Sequence, residues 1–177
     1  MLDFSKHPVR ITHMNTRKEE HGDEEKKMID LRIEADLPNT VLDRFSLSLR
    51  PSLFSTDEQP ELDPDGQHLP HVKNPELGTL TWCGSFRPVS FQLHTDARSS
   101  KNDVKLVDAT LGKIRLRPKE GGLISCIWRI QASPANGDTD RIFTLLKHEV
   151  RATQNTDEAV NIETGESPNP KAGDDDE

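Results

Sequence analysis

Ile29, Leu31, Ile33 and Ala35 alternate with Asp30, Arg32 and Glu34. That period of two predicts a half-buried antiparallel strand with its apolar side on a core. Just before it, Val9, Ile11 and His13 fall on one side of another strand. The link between the two, residues 16–27 (TRKEEHGDEEKK), is almost entirely charged and reads as a long, mobile hairpin tip in solvent. After the second strand, Asn39 or Thr40 can cap a short helix with Val41, Leu42 and Phe45 on one face, and Pro51 stops it. Residues 55–76 hold Pro60, Pro64, Pro70 and Pro75 among acids, the composition of a long surface loop.

The second half follows the same rules. Leu80 and Trp82 share one side of a strand, and Val89, Phe91 and Leu93 one side of the next, with a turn near Gly84–Pro88. Leu111–Ile130 reads as a hairpin around the three-residue loop Lys119-Glu120-Gly121, with Gly121 as the left-handed residue. That loop sets Leu116 opposite Ile124 and Ile114 opposite Cys126, with both apolar stripes on one face. Outward, Lys113 faces Ile127, Arg115 faces Ser125 and Arg117 faces Leu123. Asp138 or Asp140 then caps a helix that carries Ile142, Leu145, Leu146 and Val150 at helical spacing. From Ala152 onward no periodicity remains, and the segment has the composition of a disordered tail.

About six strands and two short helices make a mainly β (α+β) domain. Its antiparallel strands bury one face either by curling into a small OB-like barrel or by stacking as a sandwich. The expected organisation is one globular unit over 1–151 and an acidic tail over 152–177.

Charge sharpens that division. The chain carries −8 overall, yet residues 152–177 hold eight acids against one base, Lys171. The remainder has 22 bases and 23 acids and is nearly neutral. Cys83 and Cys126 lie inside strand-like runs and read as two buried free thiols. The first ten residues already contain Asp3, Lys6 and Arg10, and no apolar run approaches a membrane span. The expectation is a soluble, cytoplasmic protein.

Motifs for catalysis are missing: there is no glycine-rich phosphate loop and no nucleophile elbow. His68 and His71 pair in the proline-rich loop without a third ligand nearby, and His21–Glu25 reads as a charged tip rather than a cation site. Neither enzyme activity, cofactor nor metal is expected. Cations are another matter. Between Val104 and Ala132 stand Lys105, Lys113, Arg115, Arg117, Lys119 and Arg129, against two acids, Asp108 and Glu120. An outward cationic strand is either ordinary solvated surface or a track for a phosphate backbone. Trp128 falls on the inward stripe.

This layout, a small barrel followed by an acidic terminus, resembles the OB-class single-stranded DNA-binding proteins, including those of phage replication systems. By charge alone, an acidic terminus on a domain with a basic face can occupy that face when no ligand is bound. Separately, the stretch ITHMNTRKEEHGDEEKKMIDLRIEADLPNTVLDRF, with the later KEGG hairpin, resembles uncharacterised small proteins of tailed phages and prophages. That likeness implies a role in DNA metabolism or in countering host defence. The leading expectation is a non-enzymatic phage-type accessory protein that binds single-stranded DNA in replication or recombination. Lys113, Arg115, Arg117 and Arg129 contact phosphates, with Lys105 and Lys119 at the edges. The alternatives are an inhibitor or adaptor that binds a host or phage protein through loops 16–27 and 55–76, and a virion structural component. An exposed edge strand can also support a homodimer.

Overall fold

The computed structural model describes residues 1–21, 24–56, 69–95 and 100–168. Six long strands do most of the work: β1 (Phe4–His21), β2 (Glu24–Pro38), β5 (Leu80–His94), β6 (Val104–Lys119), β7 (Leu123–Ala132) and β8 (Glu149–Asn155). Short pairs fill in, with β3 (Phe54–Ser55) on β4 (His71–Val72), and β9 (Val160–Asn161) added to β5. The antiparallel order β6-β7-β2-β1-β8-β5 closes on itself because β5 also pairs with β6. A barrel is therefore the form that buries the apolar stripes, with six staves where an OB fold has five. The alternation on β2 sends Ile29, Leu31 and Ile33 inward, into one core with Trp128 and Ile130 of β7 and Leu111 and Ile114 of β6.

Two bulges on β6 control which side chains enter that core. Val104 and Leu106 point in, then Asp108 adopts φ 55 and the phase flips, so that Ala109 and Leu111 are buried instead. Lys113, at φ 51, flips it back and returns Ile114 and Leu116 to the interior. Each left-handed non-glycine residue costs about 1–2 kcal/mol, less than leaving two large apolar side chains in water at about 1.5–3 kcal/mol apiece. A similar shift near Thr12 turns His13 outward and packs Met14 against the core, so His13 does not share the side of Val9 and Ile11 as expected.

Several other expectations need correction. The charged link 16–27 is not a loose tip: β1 and β2 stay paired from Thr16↔Ile29 to His21↔Glu24. Beyond the barrel both faces of this ribbon meet water, so no apolar alternation marks it. Lys18 Nζ reaches Glu25 at 2.6 Å and Arg17 reaches Asp30 at 2.5 Å instead. Residues 22–23 lie outside the described residues, and with them part of the His21–Glu25 group. The turn near Gly84–Pro88 is absent. β5 runs through it as one strand, its register shifted on either side of Phe86, with Gly84 at φ 106. Cys83 alternates with the half-buried Leu80 and Trp82 and faces outward, so only Cys126 is the buried thiol that was expected, its pKa pushed up by burial to about 12.

The helix after β2 is a 3-10 segment, Asn39–Arg44, which does bury Val41 and Leu42. Asn39 does not cap it; its side chain donates to the Leu69 carbonyl at 2.7 Å. Pro51 stops nothing, because it occupies the first turn of a separate helix, α1 (Leu49–Leu53), where a missing N–H is harmless. Of loop 55–76, residues 57–68 lie outside the described residues, while 69–72 pack on the β6–β7 turn.

The largest correction concerns the C-terminal side. Helix α2 spans only Asp138–Thr144, and Val150 belongs to β8. The boundary drawn at 151/152 cuts through a barrel stave. Ala152, Gln154 and Thr156 are buried, and β8 bonds to β1 on one side and β5 on the other. Gln154 hides the pattern, since a polar residue holds an inward position and is satisfied there by Trp128 and the Leu2 carbonyl. The acidic run 174–177 lies outside the described residues. No helix among the described residues is long and apolar enough to cross a membrane.

Candidate nucleic-acid interface

The β6–β7 hairpin has the expected parity but not the expected register. Its loop is Glu120–Gly122, so Leu116 faces Cys126, Arg117 faces Ser125 and Arg115 faces Ile127. A slip of two residues leaves every side chain on its face. The Pro70 carbonyl decides the slip by accepting the N–H groups of both Gly121 and Gly122, at 2.9 and 3.1 Å. Such an anchor is tertiary and leaves no local trace.

On the outer side of these strands, four antiparallel neighbours line up in rows. His13 of β1 stands beside Arg32 of β2, which faces Arg129 of β7, which faces Gly112 next to the Lys113 bulge of β6. The next row toward the hairpin turn holds Arg10, Glu34, Ile127 and Arg115. The row on the other side holds Asn15, Asp30, Gln131 and Thr110. Together they surround a shallow hollow of about 340 Å³ lined by His13, Asn15, Asp30, Arg32, Lys113, Arg115 and Arg129. Leu31, Ile127 and Trp128 complete its lining.

The electrostatics of this face depend on where its acids are turned. Asp108 binds Arg87 through both carboxylate oxygens, and those hydrogen bonds hold its carboxyl below the usual carboxylate range. Glu120 accepts the Val72 N–H at 3.0 Å and faces His71. Both acids of the basic segment thus point away from it. Asp30 is occupied by Arg17 and by the Gln131 amide, which donates at 2.7 Å. Glu34 takes Arg32 at 3.3 Å and Asp36 takes Lys119 at 2.7 Å.

Of the six predicted cations, four gather here. Lys113, Arg115 and Arg117 project from β6, and Arg129 from β7. Among the described residues, none of these four has a carboxylate at ion-pair distance. Arg17, Arg32, Arg44, Arg50, Arg87 and Arg141 do, whereas Arg10 and Arg151, like these four, have none among the described residues. Lys119 stands at the hairpin end of the face but is engaged by Asp36. Lys105 is not part of the group: it pairs with Gln92 of β5, roughly 25 Å further along β6 at about 3.3 Å per residue. Trp128 is fully buried, its indole N–H on Gln154, so it offers no stacking surface. His13 is the one flat ring lining the hollow besides it.

Sequence reasoning missed His13, Arg32, Asp30 and Gln131. Arg32 and Asp30 are legible as outward residues of β2, but only the pairing of β2 with β7, about a hundred positions away, brings them to the hairpin. Among the described residues no three His, Cys, Asp or Glu side chains gather as a metal site. No protein-family model, no curated protein and no solved structure matches this chain.

Proposed function

We propose that this is a non-enzymatic accessory protein that holds single-stranded DNA by its phosphates across the outer face of β6 and β7. The resemblance to small tailed-phage proteins suggests replication or recombination as the setting. One observation carries the reading: Lys113, Arg115, Arg117 and Arg129 share a face, and the acids around them are matched by other partners. With few flat rings at the surface, affinity comes from counterion release rather than base stacking, and sequence preference is weak.

Four phosphate contacts give a slope of about −3 in log affinity against log salt, or roughly 50-fold weaker binding at 200 mM than at 50 mM. Fluorescence anisotropy of a labelled oligo-dT over that salt range tests this. Arg115→Glu with Arg117→Glu is expected to abolish binding and leave the melting temperature unchanged, since both side chains are exposed. Absence of binding by the full chain at low salt would refute the proposal.

A second reading rests on the ordered charged ribbon and on the exposed side chains of Leu47, Val107 and Phe143. An adaptor would use these to bind a protein. Its partner would be lost on shortening the ribbon and indifferent to the Arg115/Arg117 reversal.

A further inference from the structure

The apolar stripe of β5 is covered unevenly. Val89, Phe91 and Leu93 are buried, whereas Leu80 and Trp82 are only half-buried. Trp82 lines a pocket of about 490 Å³ with Phe45, Phe86, Asn161, Thr164 and Glu166. That size falls within the roughly 300–1,000 Å³ of ligand sites. Tryptophan is also among the side chains that carry most of the energy in protein interfaces.

The lining is fixed. The Trp82 ring packs on Phe45, with 5.2 Å between centroids and an angle of 81°. Beyond β9 the chain turns tightly: the Asn161 N–H donates to the Glu166 carbonyl and the Gly165 N–H to the Asn161 carbonyl, each at 2.8 Å. The Ile162 N–H ties that turn to β5 through the Ser85 carbonyl, also at 2.8 Å. Gly84 allows the close approach, since a Cβ there would stand 2.9 Å from Asn161 Nδ2.

Charge selects the occupant. Residues 156–168 hold Asp157, Glu158, Glu163 and Glu166 and no base. Asp157 has Arg44 at 3.9 Å, but Glu163 and Glu166 have no ion pair among the described residues. A partly exposed indole and an unmatched carboxylate in one pocket attract a cation and repel a phosphate. The chain's own segments outside the described structure do not suit it. Residues 57–68 carry five acids and no Lys or Arg, and residues 169–177 carry four acids and one base.

We infer that this pocket receives one arginine side chain from a basic segment of a partner protein. The planar guanidinium stacks on the Trp82 indole while its N–H groups donate to the Glu166 carboxylate, a combination that a lysine ammonium meets less well. β9 lies on the edge of β5 opposite β6, so the pocket and the cationic face can be occupied together. The chain then joins a basic protein to whatever lies on β6 and β7, and the inference stands independently of the DNA reading.

Trp82 reports on its own pocket, because Trp128, the other tryptophan, is fully buried and serves as a reference. The test follows the indole N–H resonances of the 15N-labelled full chain, with Trp82 assigned through Trp82→Phe. The capped peptide Gly-Arg-Gly, its lysine and citrulline counterparts and oligo-dT are titrated separately, the peptides up to roughly 10 mM, enough to detect a Kd of about 1 mM. The Trp82 resonance should move saturably with the arginine peptide, less with lysine and not with citrulline. Glu166→Gln should weaken the arginine peptide about tenfold or more, with the melting temperature and oligo-dT anisotropy unchanged, an outcome that a merely structural role for Glu166 would not produce. Equal movement with citrulline, or indifference to Glu166→Gln, overturns the cation site. Lysine binding as tightly as arginine overturns the assignment to arginine. Movement with oligo-dT alone gives the pocket to the nucleic acid and overturns the partner. If oligo-dT binds nowhere while the arginine peptide moves Trp82, the DNA reading falls and the pocket stands. No movement with any of the four overturns the inference.

Discussion

Gln154→Leu probes whether residues 149–156 form a stave of the barrel, because that glutamine is polar at the centre of an apolar interior. It is 2% exposed, accepts the Trp128 indole N–H at 3.0 Å and donates to the Leu2 carbonyl at 2.7 Å. Leucine fills much the same volume but leaves both partners buried and unpaired. Each stranded group costs about 1–3 kcal/mol, so the pair loses about 2–6 kcal/mol. The gain from burying leucine instead of an amide returns about 1–2 kcal/mol, for a net loss of about 3 kcal/mol. In a chain of this size each kcal/mol moves the melting temperature by about 2–4 °C, so a fall of roughly 6–12 °C is expected. Circular dichroism melts and urea unfolding followed by tryptophan fluorescence would read it. A variant melting within 2 °C of the parent, with an unchanged urea midpoint, would refute the placement of Gln154 and of β8 with it.

The same logic separates two truncations. Ending the chain at 151 removes buried Ala152, Gln154 and Thr156 and opens the barrel between β1 and β5. It should therefore show no cooperative melt, whereas ending at 168 keeps every stave and should leave the melting temperature within about 1–2 °C, the scale of a surface change of about 0.5 kcal/mol. Asp103 makes a pH prediction. Burial alone would raise its carboxyl, but hydrogen bonds from Gln92, His94 and the Thr95 N–H outweigh that and hold it below the usual carboxylate range. A depressed carboxylate stabilises the fold above the unfolded pKa near 3.9 and loses that contribution as pH falls through the folded value. Asp103→Asn should therefore cost about 2 kcal/mol at pH 7, with the gap from the parent closing below about pH 4; equal gaps at pH 7 and pH 3 in urea titrations would contradict it.

How far the sequence reaches follows from how local each signal is. The outward placement of Lys113, Arg115 and Arg117 depends only on the period of a strand and on a turn of odd length. Both are written within twenty residues, and a slip of two residues could not disturb them. The stripes of β2 and β7 are equally plain, and they commit the chain to an antiparallel sheet with one buried face. Where polar residues enter the core or charged residues build a strand, that signal fails. Gln154 made β8 look like the start of a tail, and the ribbon of β1 and β2 looked like a loop because neither of its faces needs to be dry. Bulges are invisible in the same way, since Asp108 and Lys113 reverse the phase of β6 only to satisfy neighbours on β5 and β7.

Local sequence thus settles which residues are apolar at alternate positions and which cations stand on the opposite side. Closure of the barrel settles the rest: that six staves meet in a ring, that Pro70 sets the hairpin register, and that Arg32 meets Arg129. The difference is one of range. Alternation is enforced by the geometry of a single strand, whereas strand order is chosen by closing the core, through contacts between residues as far apart as Asp30 and Gln131. A cluster of cations assembled by those contacts exists only in the folded barrel.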